Sequence, residues 1–232
     1  MEVIVFAEGQ SDEQFIKRVV APTLQSLQIY LKPQPLKTSK DAVGGAVSFD
    51  RLKFNARNAL RQYPDAALTT FFDLYGLDTD FPEFLSAKKA GDVYGRVKIM
   101  ENALHRAIVD HVGCRPERFI AYLQPYEFEG LFFSDVSALI RTEPEWNKHQ
   151  ATLQKIRDAF TTPEHINDSP ETSPSKRLEK TLQPKYKKTR HGPLIAEQVT
   201  LGTMERECRH FKSWLDRLRC MSKSLSVPPV GT

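Results

Sequence analysis

Three apolar stretches of the sequence run directly into an acidic residue. "EVIVFA" is followed by Glu8, "AALTTFFD" ends on Asp73, and "RFIAYLQPY" is followed by Glu127. Apolar, β-branched runs of this length are typical of strands buried on both faces of a parallel sheet. Because the carboxyl ends of such strands line the binding crevice of open α/β sheets, we expect the three carboxylates to share a site. The alternative is that each acid simply occupies a turn.

Carboxylates gathered in this way suit a divalent cation. Mg²⁺ takes about six oxygen ligands, usually one or two carboxylates with a substrate phosphate completing the shell. Acids held close together repel one another, and a divalent cation relieves that repulsion. A metal so held polarises a phosphodiester and lowers the pKa of an attacking water. The pattern therefore predicts a Mg²⁺ or Mn²⁺ site.

A basic segment lies far from these acids in the sequence. "SKRLEKTLQPKYKKTRH" (175–191) carries seven Lys and Arg residues against one acid, Glu179. Lysines can hold a phosphate backbone, an aromatic ring among them can stack on a base, and one cation can stabilise a pentacovalent phosphate. The segment predicts nucleic-acid binding, with a solvated basic loop as the alternative. Its candidate binding residues are Lys185, Tyr186, Lys187, Lys188 and Arg190.

The composition is that of an ordinary soluble protein. The chain has 232 residues, of which 40% are apolar and 27% charged, with a net charge of +4. No apolar run approaches the ~20 residues of a membrane span, and the N-terminus lacks the pattern of a signal peptide. The three cysteines have no metal-ligand spacing, and no GxxxxGK[ST] motif for nucleotide hydrolysis is present. We expect a cytoplasmic protein with no membrane partner, and a homo-oligomer is left open.

Strand and helix patterns alternate over the first 140 residues. This alternation predicts an α/β fold, a mostly parallel sheet flanked by helices. Ser11 is the expected N-cap of the first helix, and Pro22 is expected to distort its last turn. The predicted strands are 2–7, 66–76 and 118–126, with an edge strand or an extended connection within 28–38. The predicted helices are 11–26, 49–63, 96–112 and 127–140.

The remainder of the chain has a different character. Residues 141–220 are predicted to form a C-terminal helical extension that carries the basic segment. Within it, 162–177 is rich in Pro, Ser, Thr and acids and predicts an exposed loop. A flexible loop is predicted at 40–48, and 221–232 is expected to be a disordered tail.

The run "VIVFAEGQSDEQFI" resembles the opening of a Toprim domain, the metal-binding fold of topoisomerases, DnaG-type primases and OLD-family nucleases. The signature of that opening is an acid, a glycine, a small polar residue and a second acid. Here these are Glu8, Gly9, Ser11 and Asp12. The resemblance implies a Toprim-like metal-binding domain over 1–140.

The second Toprim signature is an Asp-x-Asp pair after a later strand, and "FFDLYGLDTDF" matches it only in part. Asp73 stands at the first position, but Tyr75 occupies the second. Asp78 and Asp80 form an Asp-x-Asp pair that is displaced into the following loop. The departure leaves open whether the displaced pair serves a second metal.

The later segments "PYEFEGLFFSD" and "SPSKRLEKTLQPKYKKTRHGPLIAEQ" resemble those of a bacterial Toprim-related family, often encoded beside an ABC-type ATPase in anti-phage loci. The resemblance implies a Mg²⁺- or Mn²⁺-dependent nuclease acting on DNA or RNA as the effector of a defence system. No motif distinguishes the two nucleic acids. The alternatives are a non-catalytic partner of the ATPase and a module that only binds nucleic acid.

The residues take the following expected roles. Glu8 and Asp73 are the primary metal ligands, and Asp12 and Glu127 are second-metal or water-positioning acids. An alternative role for Glu8 is that of a general base. Glu129 would point about 200° away from Glu127 on an α-helix, so we expect it outside the site unless the helix starts later.

Overall fold

Five parallel strands form the centre of the computed structural model, which describes residues 1–36, 46–167 and 169–224. The order across the sheet is β2-β1-β3-β4, with β5 also pairing with β3. Every pairing is parallel. The expected mostly parallel α/β sheet is therefore confirmed. Its strands are β1 (Glu2–Ala7), β2 (Tyr30–Pro35), β3 (Ala67–Asp73), β4 (Phe119–Ile120) and β5 (Leu123–Gln124).

The two central strands end side by side. β1 and β3 pair from Val3 with Ala67 to Ala7 with Phe71, so their carboxyl ends lie at the same edge of the sheet. All seven residues of β3 are buried, as expected for a strand covered on both faces. The prolines of β2 are tolerated because it is an edge strand, as its sequence predicts.

The strand predicted at 118–126 is interrupted in its middle. Thr70 Oγ1 accepts a hydrogen bond from the Tyr122 backbone N at 2.9 Å and donates one to the Tyr122 carbonyl O at 2.8 Å. This hydroxyl replaces the backbone ladder bonds of β3 in the gap between the end of β4 and the start of β5. The register nevertheless continues, since Thr69 pairs with Ile120 and Phe72 with Leu123.

Helices cover both faces of the sheet, as predicted. The first predicted helix begins after Gly9 and not at Ser11, and it widens to a π-helix over Ile16–Val20 just before Pro22. No helix within the described residues is long and apolar enough to cross a bilayer. The α-helices are α1 (Gln10–Phe15), α2 (Ala21–Gln25), α3 (Phe49–Gln62), α4 (Val93–Val112), α5 (Val136–Ile140), α6 (Gln150–Asp158), α7 (Pro174–Thr181), α8 (Lys188–Val199), α9 (Leu201–Glu207) and α10 (Arg209–Ser224).

The helix predicted at 127–140 is not continuous. Residues Phe128–Ser134 form a 3-10 helix, and α5 begins only after Asp135. The Asp135 backbone is extended, with φ −148°, and its carboxylate accepts a hydrogen bond from the Ala138 N at 2.9 Å. Asp135 therefore caps a new helix and interrupts the predicted one.

The segment predicted as an exposed loop at 162–177 is folded into the protein. It forms two 3-10 turns, Pro163–His165 and Pro170–Thr172, and the start of α7. Glu164 and Ser173 are each only 1% exposed. Burial follows from hydrogen bonds that Glu164 accepts inside the protein, described below.

Two predicted segments are only partly described. Most of the flexible loop predicted at 40–48 lies outside the described residues. The helix α10 continues to Ser224, four residues into the predicted tail. The rest of the tail, 225–232, also lies outside the described residues.

The C-terminal helices share a hydrophobic core with the sheet. Trp214 of α10 stacks on Tyr122 with ring centroids 4.8 Å apart, and its ring lies 5.3 Å from that of Phe71 in β3. Its Nε1 donates a hydrogen bond to Thr69 Oγ1 at 2.9 Å. On the opposite face, α3 and α4 pack a second cluster against the sheet. The sheet is thus held from both sides, which fixes its carboxyl edge.

Candidate active site

The two acids predicted as primary ligands meet at the carboxyl edge of the sheet. Glu8 follows β1 directly, and its Oε1 accepts a hydrogen bond from the Asp73 backbone N at 2.6 Å. Asp73 ends β3, and its Oδ1 accepts a hydrogen bond from the Phe128 N at 2.8 Å. A Cβ at Gly76 would lie 2.3 Å from the Glu8 carboxylate oxygens, so glycine is required for Glu8 to sit here.

Asp12 joins the same edge from the first turn of α1. Its side chain is buried, and Oδ2 accepts a hydrogen bond from the Gly9 N at 3.0 Å. Burial raises the pKa of Asp12. The charge of Asp12 in turn raises the pKa of Glu8.

Glu129, and not Glu127, is the fourth acid of the cluster. Glu129 is fully buried, its Oε1 lies 3.3 Å from the Lys188 Nζ, and its Oε2 is buried with no hydrogen-bond partner among the described residues. Glu127 instead accepts a hydrogen bond from the Ser175 N at 2.8 Å, at the start of α7.

The role expected of Glu127 stays a prediction, since its charge is close enough to raise the pKa of Glu129. Glu129 joins the site, which is the case left open for a helix that starts later. The reason is the backbone, because Glu127 is extended (φ −141°) and the 3-10 helix begins after it. We call Glu8, Asp12, Asp73 and Glu129 the acid cluster.

Lys188 supplies a positive charge to the acid cluster. Its Nζ lies 3.8 Å from Asp73 Oδ2, 3.3 Å from Glu129 Oε1, and 4.8 Å from the centre of the Phe128 ring. Lys188 is the first residue of α8, so the positive end of that helix dipole points in the same direction. The side chain remains 41% exposed and so can reach a ligand from solvent.

The pKa values of the cluster reflect burial and mutual repulsion. Burial raises the pKa of Glu8 to about 8 and that of Glu129 to about 7, although Lys188 opposes both shifts. Burial also raises the pKa of Asp73 well above its usual value. For Lys188, burial lowers the pKa, but the facing carboxylates more than offset this and raise it. The cluster thus carries more acids than one ammonium group neutralises.

The displaced Asp-x-Asp pair makes hydrogen bonds to nearby backbone in this structure. Both Asp78 and Asp80 are exposed. The Asp80 carboxylate accepts hydrogen bonds from the Phe49 N at 2.9 and 3.0 Å, at the start of α3, and Asp78 Oδ1 accepts one from the Thr79 N at 2.6 Å. Neither aspartate contacts the acid cluster among the described residues.

The basic segment divides between the site and the surface. Tyr186 is only 2% exposed and donates a hydrogen bond to Glu129 Oε1 at 3.4 Å, so its ring is not open to a base in this structure. Lys185 lies 3.8 Å from Glu179, and Arg190 pairs with Glu143 at 2.7 Å. The side chain of Lys187 is exposed, as are those of Lys185 and Arg190.

The donor chemistry of the acid cluster fits a hard divalent cation. Four carboxylates provide oxygen ligands of the kind that Mg²⁺ and Mn²⁺ prefer, and Glu129 Oε2 has no other partner among the described residues. The described residues nevertheless contain no group of three or more acidic, His or Cys side chains already spaced to hold an ion.

Together, the fold and the site define an α/β protein with a buried acid cluster and one lysine at the carboxyl edge of a parallel sheet. The chain belongs to the family described as a domain of unknown function (DUF4276), whose model matches residues 7–219.

Two solved structures are similar to this chain. One is the C-terminal region of the Xanthomonas campestris pv. campestris OLD protein phased with iodine, at 13% identity and a TM-score of 0.45. The other is the same region phased with mercury, at 12% identity and a TM-score of 0.45. In both cases 96% of each chain is covered. No curated protein matches the chain.

Proposed function

We propose that this chain is a divalent-metal-dependent nuclease that hydrolyses phosphodiester bonds in DNA or RNA. The main support for this proposal is the acid cluster, in which four carboxylates with raised pKa values converge where three strands of a parallel sheet end. Desolvated carboxylates that repel one another are the arrangement that a divalent cation stabilises. The resemblance of the opening sequence to Toprim domains supports the same chemistry.

Glu8 and Asp73 are the residues that would hold Mg²⁺ or Mn²⁺, with Asp12 and Glu129 beside them. When bound, the ion stabilises charge on the phosphate and lowers the pKa of an attacking water. The chain's own groups keep these acids in place, since the Asp73 N–H orients Glu8 and the Phe128 N–H orients Asp73.

Lys188 is the group best placed to bind the scissile phosphate. Its ammonium already lies among the acids, and its side chain is partly open to solvent. A phosphate oxygen at this position gains a charge-assisted hydrogen bond that strengthens as negative charge develops. The exposed Lys185, Lys187 and Arg190 nearby in the chain add an attraction for the nucleic-acid backbone that salt weakens.

A cleavage assay of the purified chain tests the proposal. Single-stranded and duplex DNA and RNA are incubated with Mg²⁺, Mn²⁺ or EDTA. We expect Asp73→Asn to lower metal-dependent cleavage at least about 100-fold, because even partners outside the ligand shell cost 10- to 100-fold. Asp110→Asn, an exposed aspartate on α4, is the matched control and should cleave like the wild type.

Thermal unfolding provides a second readout that does not depend on cleavage. Mn²⁺ should stabilise the wild type, by about 2.7 kcal/mol at 100 times its dissociation constant. The stabilisation should be lost in Asp73→Asn and kept in Asp110→Asn. Equal cleavage and equal stabilisation by Mn²⁺ in both variants would reject the assignment.

A second candidate is a non-catalytic partner of an ABC-type ATPase. It is favoured by Tyr75 in place of the second acid of the Toprim pair, and by Lys188, which already balances part of the acidic charge. This candidate predicts that the chain co-purifies with such an ATPase and cleaves nothing even in the complex. In either role, the sequence resemblance supports a function in anti-phage defence.

A further inference from the structure

Two tyrosines stand beside the acid cluster and have no role in the chemistry described so far. The ring centroids of Tyr75 and Tyr126 are 5.4 Å apart, and both residues are partly exposed. Tyr75 lies two residues after Asp73 and adjoins Gly76. Tyr126 lies two residues before Phe128, whose N–H holds Asp73. The backbones of both residues therefore lie close to Asp73 of the acid cluster.

Local contacts hold the two tyrosines in their positions. The backbone of Tyr126 is left-handed, with φ +55°, a conformation that costs free energy in any residue with a side chain. The Tyr75 N donates a hydrogen bond to the Tyr126 carbonyl O at 3.2 Å, and the Tyr75 hydroxyl accepts one from Asn167 Nδ2. Asn167 Oδ1 is buried without a hydrogen-bond partner among the described residues.

An arginine with no acidic partner accompanies the tyrosines. Arg96 lies in the first turns of α4, with its guanidinium carbon 5.6 Å from the centre of the Phe84 ring. Its Nε is buried without a hydrogen-bond partner, and no carboxylate pairs with it among the described residues. Phe84 belongs to the hydrophobic cluster against which Tyr126 also packs, so Arg96 and Tyr126 meet the same cluster. Burial lowers the pKa of Arg96, and Tyr75 and Tyr126 act in the opposite direction.

We infer that Arg96, Tyr75 and Tyr126 form a subsite for one nucleotide next to the bond cleaved at the acid cluster, an inference that rests on the proposed function. The Arg96 guanidinium provides a planar fork of donors for a phosphate, and the tyrosine pair provides an aromatic surface for a base. Tyr75 stands where Toprim domains carry their second acid. At this position the chain thus has a tyrosine that contacts a base, in place of a metal-binding carboxylate.

The subsite defines a class of substrate. Bases inside a duplex are paired and stacked on one another, so a protein ring can stack only on a base that is already unpaired or has been turned out. The substrate is therefore a nucleic acid with a single-stranded segment at the cleavage point, such as an overhang or a loop.

Binding without cleavage tests the role of Arg96. The affinity of the full chain for a labelled single-stranded oligonucleotide, and for the matching duplex, is measured over a salt series in EDTA and again in Ca²⁺. Arg96→Gln should reduce the slope of log affinity against log salt by about 0.7, the value for one phosphate contact on a single strand. Arg106→Gln should leave the slope unchanged, because Arg106 lies exposed on the same helix about 15 Å further along.

The same measurement tests the aromatic surface. Tyr75→Leu should weaken single-strand binding about 5- to 100-fold at every salt concentration without changing the slope. Tyr75→Phe keeps the ring and should bind like the wild type. The matched control is Tyr30→Leu, a tyrosine 50% exposed at the opposite end of the strands, which should have no effect. Thermal unfolding checks that each variant is folded.

Several results would overturn the subsite. These are equal slopes for Arg96→Gln and Arg106→Gln, equal binding by Tyr75→Leu and Tyr30→Leu, duplex bound as tightly as single strand, or no binding in either EDTA or Ca²⁺. Failure of the proposed function looks different. If the chain binds single strands through Arg96 and Tyr75 but never cleaves them, the subsite stands and the proposed nuclease activity fails. If the chain cleaves nucleic acid equally well without Arg96 and Tyr75, the nuclease activity stands and the subsite fails.

Discussion

Glu8 combines two properties that rarely occur together in a carboxylate. Its position is fully specified by the Asp73 N–H and the missing Cβ of Gly76, yet burial raises its pKa to about 8. In the absence of a cation, the folded protein therefore keeps Glu8 protonated over most of the neutral range. A bound divalent cation would displace this proton, so we expect metal affinity to rise with pH.

Glu8 also links stability to pH. Its pKa is raised from 4.5 to about 8 on folding, so between these values the unfolded chain loses a proton that the folded protein retains. Without metal, this group makes the free energy of unfolding fall as pH rises from about 4.5 to about 8, by up to about 1.4 kcal/mol per pH unit. Glu8→Gln should lack this contribution, and urea unfolding at a series of pH values in EDTA measures it.

The control for this prediction is Asp110→Asn, which removes an exposed acid and should keep the pH dependence of the wild type. The prediction is wrong if Glu8→Gln and the wild type lose stability in parallel between pH 5 and pH 8.

At the scale of elements, the start of α10 depends on one buried acid. Glu164 accepts hydrogen bonds from the backbone N of His210 at 3.0 Å and of Phe211 at 2.9 Å, and from the Tyr94 hydroxyl at 2.8 Å. A carboxylate at this place satisfies two unpaired N–H groups and the positive end of the helix dipole. Glu164 thus ties the segment 162–177 to α10, although Glu171 and Lys176 of the same segment stay exposed.

Glu164→Ala should lower the free energy of unfolding by about 2–4 kcal/mol, because two buried N–H groups and a hydroxyl lose a charged acceptor. Urea unfolding measures the loss. Glu145→Ala, at an exposed glutamate in the same half of the chain, should change stability by less than about 0.5 kcal/mol. Similar losses in the two variants would contradict the role given to Glu164.

At the scale of the whole molecule, the C-terminal helices complete the core of the sheet. Trp214 and Phe211 of α10 pack in one cluster with Phe71 of β3 and Phe15 of α1. Lys188, at the start of α8, then reaches back into the acid cluster. The helical extension predicted at 141–220 therefore contributes both to stability and to the site.

It follows that the first 140 residues should not fold alone. A chain ending at residue 140 would expose the face of the sheet that Trp214 and Phe211 cover, and would lack Lys188. We expect it to show no cooperative unfolding transition by circular dichroism, whereas the chain ending at 224 should unfold like the full protein. A sharp transition in the shorter chain would contradict a core shared by the sheet and the C-terminal helices.

The sequence alone determined the sheet and the meeting of Glu8 with Asp73. Buried parallel strands have continuous apolar sequences, and their carboxyl ends lie at one edge of the sheet. The residues that follow two adjacent strands are therefore neighbours. These are local signals, and their geometric consequence follows once β1 and β3 pair as neighbours in the sheet.

Only the tertiary structure decided which other residues complete the site. Glu129 lies in the cluster because Glu127 is extended and the 3-10 helix begins only after it. The periodicity of the sequence does not reveal where that helix begins. Lys188 and Tyr186 reach the acids, while Lys185 and Arg190 find partners elsewhere, because α8 packs with its first turn against the edge of the sheet. Such contacts join residues far apart in the chain, and their cause is packing of the shared core.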